Sequence, residues 1–147
     1  MLKKLILIGS LTILYATPLS SYARTVEERL FIQSIIVAEA ARYDVDPGLG
    51  VFLSAVESDF NPNARSGEST ASGLFQWIRG SFLGICIKKY GIAKEPSDVF
   101  NPVLNARCAM KTISEGGISH WTASGHTSRK LFRAGFITIH NQLVYND

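Results

Sequence analysis

Apolar residues recur at the three- and four-residue spacing of an amphipathic helix in four segments of the chain. The first segment predicts a helix over residues 26–43, and the sequence Thr25-Val-Glu-Glu28 supplies a capping box at its start. The second predicts a helix that ends at Glu57, with Asp46 as its cap and Pro47 in its first turn. This part of the chain is therefore predicted to form two helices joined by a short turn.

Two further helices are predicted beyond Glu57. One covers residues 79–90, and the other begins at Asn101-Pro102 and runs to about Glu115. The intervening residues 61–72 are rich in Asn, Ser, Gly and Thr, a composition typical of an ordered polar loop or a short hairpin. The acid at the end of the second helix is thus expected to face a polar loop.

The pattern is weaker toward the C-terminus. Residues 122–128 are predicted as a loop, and residues 136–140 are predicted as helical although their β-branched side chains also suit a strand. The whole pattern predicts a mainly α fold, in one compact domain over residues 24–147 that is long enough to bury a core of its own.

The first residues are typical of a secretory signal peptide. Lys3 and Lys4 precede an apolar run, and the small residues Ser21 and Ala23 mark a cleavage site. The run is interrupted by polar residues and is shorter than the roughly 20 residues of a spanning helix, so cleavage after Ala23 is favoured over an uncleaved anchor. A signal peptide over residues 1–23 predicts a periplasmic or secreted protein.

Removal of that leader lowers the formal net charge from +3 to +1, because Lys3 and Lys4 leave with it. A nearly neutral domain provides no broad positive field, and nucleic acid is therefore not expected as a partner. A local cluster of Arg129, Lys130 and Arg133 is interpreted as a solvated helix face.

The chain has two cysteines, Cys86 and Cys108, both in the exported part. An oxidising compartment favours a disulfide between them, which would staple the third helix to the fourth and stabilise the fold by about 3 kcal/mol. Two separately buried thiols are the alternative. No metal is expected, because the cysteines and His120, His126 and His140 do not have the spacing of metal ligands.

Glu57 is the candidate for acid–base chemistry. It lies at the negative end of a helix dipole, and its neighbours Val56 and Phe60 are placed to shield it from water. Both effects favour the protonated form, which can give its proton to a glycosidic oxygen and later take one back. The alternative is an ordinary exposed acid at a helix end.

The order of residues from Glu57 onward decides between these interpretations. The relevant residues are Glu57-Ser58, Phe60-Asn-Pro62, Ala64, Ser66, Ala71 and Gly73-Leu-Phe-Gln76. This order resembles the signature of the SLT-type (family 1) lytic transglycosylases, relatives of goose-type lysozyme, and the resemblance extends over roughly residues 32–110.

The resemblance implies a lysozyme-like α+β fold, mainly helical, and cleavage of the bond between N-acetylmuramic acid and N-acetylglucosamine in peptidoglycan without a metal or organic cofactor. The acid that matches Glu57 protonates the leaving oxygen and then deprotonates the muramyl 6-hydroxyl, which closes a 1,6-anhydro ring. A hydrolase would usually use a second carboxylate, for which Asp59, Glu68 and Asp98 are the nearest candidates in sequence.

The same resemblance assigns substrate binding to Ser66 and Gln76, and a supporting role to Ser58 and Gly73. Each has a simpler alternative, since Ser66 suits an ordinary turn and Gln76 suits a residue that ties down the loop. Gly73 is expected to permit a tight turn rather than to contact substrate. Trp121 is expected in the core, with stacking on a sugar as the alternative.

Two departures from the family pattern stand out. The spacer from Ser66 to Ala71 is one residue longer than usual, with Thr70 where glycine is common, and the Tyr-Asn-x-Gly segment of the family is missing, since Tyr145-Asn146 lacks the glycine. The leading hypothesis is an exported lytic transglycosylase, in the service of a secretion, conjugation or pilus apparatus. A lysozyme-like hydrolase and a non-catalytic wall-binding assembly protein of the same fold are the alternatives.

Overall fold

Residues 25–123 and 125–136 are described by a computed structural model, and helices dominate them. The α-helices are α1 (Val26–Arg42), α2 (Pro47–Ser58), α3 (Arg79–Ser81), α4 (Pro102–Ser114), α5 (Ser119–Thr122) and α6 (Gly125–Arg133). A π-helix (Phe82–Lys89) continues α3, and a 3-10 helix (Pro96–Phe100) precedes α4. The predicted mainly α class is confirmed.

Local capping chemistry fixes where three of the helices begin. The Thr25 hydroxyl accepts a hydrogen bond from the Glu28 amide at 3.1 Å, and the Glu28 carboxylate accepts one from the Thr25 amide at 2.9 Å, so the predicted capping box is present. Asp46 accepts from the Gly48 amide at 2.8 Å, and Asn101 caps α4 in the same way. The predicted starts of these helices are confirmed.

The core lies between α1, α2 and α4, where α1 packs against both of the others. Ile36, Leu53 and Met110 contribute fully buried side chains from the three helices. Helix α2 also packs against α6. The end of α2 that carries Glu57 is therefore in contact with a helix from much later in the chain.

The predicted disulfide is confirmed: Cys86 of the π-helix is bonded to Cys108 of α4, with the two Cα atoms 5.6 Å apart and both residues fully buried. The helix predicted over residues 79–90 is α-helical only over Arg79–Ser81, since Phe82–Lys89 forms a π-helix. Apolar residues four apart, such as Phe82 and Cys86, share a buried face in either geometry, so periodicity does not distinguish the two.

Residues 61–72 form an ordered loop, as predicted, with isolated antiparallel bridges that pair Ser72 with Arg65 and with Trp77. The prediction of a loop over residues 122–128 is wrong from Gly125 onward, where α6 begins. Gly125, Thr127 and Ser128 are poor helix formers, and the helix forms because Thr127 and Leu131 are buried by packing against α2 and α5.

Several predictions fall outside the described residues: the signal peptide over residues 1–23, His140, Tyr145-Asn146, and most of the helix predicted over residues 136–140. Phe136 is the one residue of that predicted helix that is described, and it lies in a bend. Within residues 25–123 and 125–136, no helix combines the length and the apolar composition that crossing a bilayer requires.

Candidate active site

Glu57 lies in the last turn of α2, and the chain reverses direction immediately after it. Asp59 and Phe60 adopt consecutive left-handed conformations, with φ values of 52° and 60°. Phe60 is buried, so the reversal carries its ring into the hydrophobic core. Glu57 is left half-buried at the point where α2 meets the polar loop.

The carboxyl group of Glu57 is held by α6. The Thr127 hydroxyl donates a hydrogen bond to Glu57 Oε1 at 2.9 Å, and Thr127 itself is buried. Burial raises the pKa of Glu57 above its ordinary value, while the Thr127 hydrogen bond and the positive charge of Lys130 offset part of that rise. The environment thus favours the protonated acid yet provides two groups that stabilise the ionised form.

Ser58 joins the end of α2 to the turn formed by residues 73–77, here called the inner turn. Its hydroxyl donates to the Leu74 carbonyl at 2.8 Å and accepts a hydrogen bond from the Asn61 amide at 3.2 Å. The hydroxyl therefore connects the helix end, the chain reversal and the inner turn, beside the acid.

The inner turn is fixed by buried side chains from two later helices. Asn105 accepts a hydrogen bond from the Phe75 amide at 3.2 Å and donates one to the Val99 carbonyl at 2.6 Å. The Trp121 indole N–H donates to the Phe75 carbonyl at 2.7 Å, and Trp121 is 5% exposed, which confirms its expected place in the core. The polar backbone groups of Phe75 are thus satisfied without water.

Gly73 is required by this packing for two reasons. Its φ of +77° lies in the left-handed region, and a Cβ atom at this position would collide with the Val99 carbonyl and the Asn105 amide. The glycine therefore allows both the turn and the close approach of Asn105.

Gln76, predicted to contact substrate, also has a positive φ, of 46°. Its side-chain amide donates to the Gly73 carbonyl at 2.9 Å, across the turn in which it lies. This hydrogen bond is the one expected of a residue that ties down the loop. Gln76 is half-buried, and contact with substrate stays a prediction.

Ser66 lies in residues 65–72, here called the outer loop. Its hydroxyl accepts hydrogen bonds from the Glu68 amide at 3.2 Å and the Ser69 amide at 3.1 Å, which is a local turn. Ser66 lines a cavity of about 400 Å³ whose walls do not include Glu57. The structure thus places Ser66 on the outer loop, beside the cavity. Thr127, rather than Ser66, is hydrogen-bonded to Glu57.

Two of the three carboxylates considered as partners of Glu57 are engaged in other interactions. Asp59 forms a two-pronged ion pair with Arg29 at 2.6 and 2.8 Å. Asp98 accepts hydrogen bonds from the backbone amides of residues 94 and 95, and Glu68 is exposed on the outer loop. Two of the three candidates thus serve the architecture of the fold.

Sequence reasoning missed Thr127 and Lys130. The one signal available was the cationic cluster of Arg129, Lys130 and Arg133, which was interpreted as a solvated face. Lys130 is exposed, as that interpretation expects, yet its charge acts on Glu57. Within the described part of the chain, no three His, Cys, Asp or Glu side chains cluster as metal ligands do.

A family model described as the transglycosylase SLT domain matches residues 34–117, more than half of the 147-residue chain. The match includes Glu57, the inner turn and Asn105, and it ends before α6. No curated protein and no solved structure matches the chain. The resemblance found in the sequence is confirmed, and the chain belongs to the transglycosylase SLT domain family.

Proposed function

We propose that the protein is an exported lytic transglycosylase that cleaves the bond between N-acetylmuramic acid and N-acetylglucosamine in peptidoglycan and leaves a 1,6-anhydromuramyl end. Membership of the family supports a lytic transglycosylase-type activity on peptidoglycan. The observation that carries the proposal for this chain is the environment of Glu57, an acid whose pKa is raised by burial and whose carboxyl is held in one orientation by Thr127.

The Thr127 hydrogen bond distinguishes the two carboxyl oxygens of Glu57. Oε1 accepts the hydrogen bond, and in the neutral acid it is therefore the carbonyl-like oxygen, so the proton lies on Oε2. Glu57 Oε2 is then the atom that protonates the glycosidic oxygen as the bond breaks. A fixed orientation of the acid reduces the reorganisation that proton transfer requires.

After that transfer Glu57 is an anion, and the same neighbours acquire a second role. The Thr127 hydroxyl donates to a charged oxygen, which strengthens the hydrogen bond, and the positive charge of Lys130 favours the ionised state. The carboxylate then accepts the proton of the muramyl 6-hydroxyl, whose oxygen attacks the anomeric carbon and closes the ring. One carboxyl group thus performs both proton transfers, which agrees with the structural engagement of Asp59 and Asp98.

Export is part of the proposal. The basic start, the apolar run and the small residues before position 24 support a cleaved leader and a periplasmic or secreted location. The Cys86–Cys108 disulfide supports an oxidising compartment. Service to a secretion, conjugation or pilus apparatus stays a prediction of the sequence.

The test is digestion of purified peptidoglycan with the purified protein, followed by mass spectrometry of the released fragments. Wild-type protein should release fragments with anhydromuramyl ends, which are lighter by one water than the reducing ends that hydrolysis gives. Glu57→Gln removes the transferable proton and should lower the rate by about 10²- to 10⁴-fold.

Glu27→Gln is the matched control, because Glu27 is an exposed carboxylate on α1 that is not a candidate for the chemistry. It should leave the rate unchanged. Reducing ends in place of anhydro ends would assign the protein to the lysozyme-like hydrolases. An absence of fragments from correctly folded wild-type protein would favour the non-catalytic wall-binding role.

A further inference from the structure

The cavity beneath the outer loop is separate from the acid and has a distinct chemical character. It encloses about 400 Å³, within the range of pockets that hold small ligands, and it lies between the outer loop, the start of the π-helix and the 3-10 helix. Its buried lining residues, here called the floor, are apolar or aromatic, and its exposed lining residues, here called the rim, include hydroxyl and guanidinium groups. A ligand for such a pocket has an extended body and at least one polar group.

Five hydroxyl groups line the cavity; those of Ser72 and Ser97 already donate, to the Thr70 carbonyl and to Glu95, and the other three are available as donors. Ser66 accepts hydrogen bonds from two backbone amides, Ser69 accepts one from the Ala71 amide at 3.2 Å, and Thr70 accepts one from the Arg79 amide at 3.2 Å. Since each of these oxygens already serves as an acceptor, its O–H remains to be donated. The rim therefore favours a ligand that is rich in acceptor oxygens.

Two guanidinium groups, from Arg65 and Arg79, line the same cavity. Within residues 25–123 and 125–136, neither forms an ion pair with a carboxylate, whereas Arg29, Arg42 and Arg107 all do. Arg65 lies over the Phe100 ring, with its Cζ atom 4.0 Å from the ring centroid, and this contact holds its guanidinium group at the cavity. Two guanidinium groups at one cavity, with no carboxylate partner among the described residues, favour a ligand that carries an anionic group.

We infer that this cavity binds a carboxylate of the peptide branch that is attached to the glycan, with Arg65 and Arg79 as the carboxylate-binding residues. The choice of a peptide branch depends on the proposed function, since peptide stems are the anionic substituents that accompany the sugars of peptidoglycan. The apolar floor fits the aliphatic parts of such a peptide, and the rim donors fit its carbonyl oxygens.

The position of the cavity supports a link to the same substrate. Ser66, the residue that the family pattern assigns to sugar binding, is also part of the cavity wall. A glycan chain that reached both Glu57 and Ser66 would bring its peptide branch to the outer loop. The cavity would then select strands that carry acidic peptides over bare strands.

Isothermal titration calorimetry tests the inference with a synthetic stem tetrapeptide that has free carboxylates and with the same peptide fully amidated. Wild-type protein should bind the acidic peptide about tenfold more tightly than the amidated one, because an arginine–carboxylate hydrogen bond contributes about that factor. Arg79→Gln and Arg65→Gln should each weaken binding of the acidic peptide by about tenfold. Arg133→Gln, an exposed arginine on α6, is the matched control and should change nothing.

Arg65→Gln also removes the contact with Phe100, so Arg79→Gln, at an exposed position, keeps the test independent of loop folding. Equal affinity for the two peptides, no peptide binding at all, or unchanged binding in both arginine variants would overturn the inference. Competition by inorganic phosphate at the affinity of the peptide would show a general anion site and overturn the peptide assignment.

Cleavage of glycan strands that have been stripped of peptide separates this inference from the proposed function. Equal cleavage of stripped and intact strands, together with no binding of the peptide, would support the proposed activity and overturn the peptide site. Arginine-dependent binding of the peptide without cleavage of either strand would support the peptide site and overturn the proposed activity.

Discussion

The inner turn and α6 both support the end of α2 that carries Glu57, and they do so by different means. The inner turn is held by Asn105 and Trp121, which are buried and which satisfy backbone groups of Phe75. Helix α6 supplies one buried hydroxyl, from Thr127, and one exposed cation, from Lys130. The first support fixes backbone geometry, and the second acts on the carboxyl group itself.

This difference separates stability from proton affinity. A lost hydrogen bond in the inner turn leaves a buried backbone group without a partner, which is costly for folding. A lost contact from α6 changes the balance between the neutral and ionised forms of Glu57. Changes in the inner turn should therefore lower the melting temperature, whereas changes in α6 should move the pH profile of activity.

The largest effect is expected for Gly73→Ala. An alanine with a φ of +77° is strained by about 1–2 kcal/mol, and its Cβ atom would also collide with the Val99 carbonyl and the Asn105 amide. We expect a loss of more than about 3 kcal/mol in the free energy of unfolding, measured by urea denaturation. Gly67→Ala is the control, because a Cβ atom there meets open space. Equal stability of the two variants would show that the inner turn is not rigid.

Asn105→Ala should come next in size. It leaves the Phe75 amide and the Val99 carbonyl without partners, at about 1–3 kcal/mol for each buried group. The double variant with Gly73→Ala should lose less than the sum of the single losses, because the alanine at position 105 relieves part of the collision. Strict additivity in denaturation experiments would contradict the close contact between Gly73 and Asn105.

The sequence predicted the features that depend on neighbouring residues. Thr25, Asp46 and Asn101 indicated helix starts because a cap needs only the next three residues of the chain. The spaced motif after Glu57 indicated the family and a turn at Gly73. Fold class and the disulfide were likewise accessible from helical periodicity and from the presence of two exported cysteines.

The features that sequence reasoning missed depend on tertiary packing. The hydrogen bond between Thr127 and Glu57 joins residues 70 positions apart, and α6 itself consists partly of poor helix formers that packing holds in place. The π-helix was missed because periodicity alone does not separate it from an α-helix. The cavity of the outer loop likewise depends on how Arg65 and Arg79 meet in space.

Thr127→Val tests the second support. Valine keeps the volume of the buried side chain and removes the hydrogen bond that lowers the pKa of Glu57, so that pKa should rise further. Activity requires the protonated acid and falls as the pH rises through its pKa, so the descending limb of kcat/KM should move to higher pH. The maximal rate should fall by about tenfold, because the ionised form loses a charge-assisted hydrogen bond.

Thr127→Ser is the matched control, since it keeps the hydroxyl and should show the wild-type pH profile.

The pH dependence of protein stability provides a second measurement of the Glu57 pKa. Because the folded protein raises the pKa of Glu57, this group stabilises the fold at low pH, and that contribution is lost as the pH rises through the folded pKa. Glu57→Gln should abolish this pH dependence of the melting temperature, and a profile identical to that of wild type would contradict the raised pKa.

Lys130→Gln should give the smallest effect, in the same direction as Thr127→Val. The charge of Lys130 lowers the pKa of Glu57 less than the Thr127 hydrogen bond does, so its removal should move the descending limb by a smaller amount. Lys130 is exposed, and salt screens exposed charges over about 10 Å at 0.1 M, so raising the ionic strength should move the wild-type profile toward that of the variant. Lys130→Arg should keep the wild-type pH profile. An equal shift of the profile in Arg133→Gln would show that any cation on α6 lowers the pKa of Glu57. A salt-independent shift in Lys130→Gln would mean that the lysine acts through packing of α6 rather than through its charge.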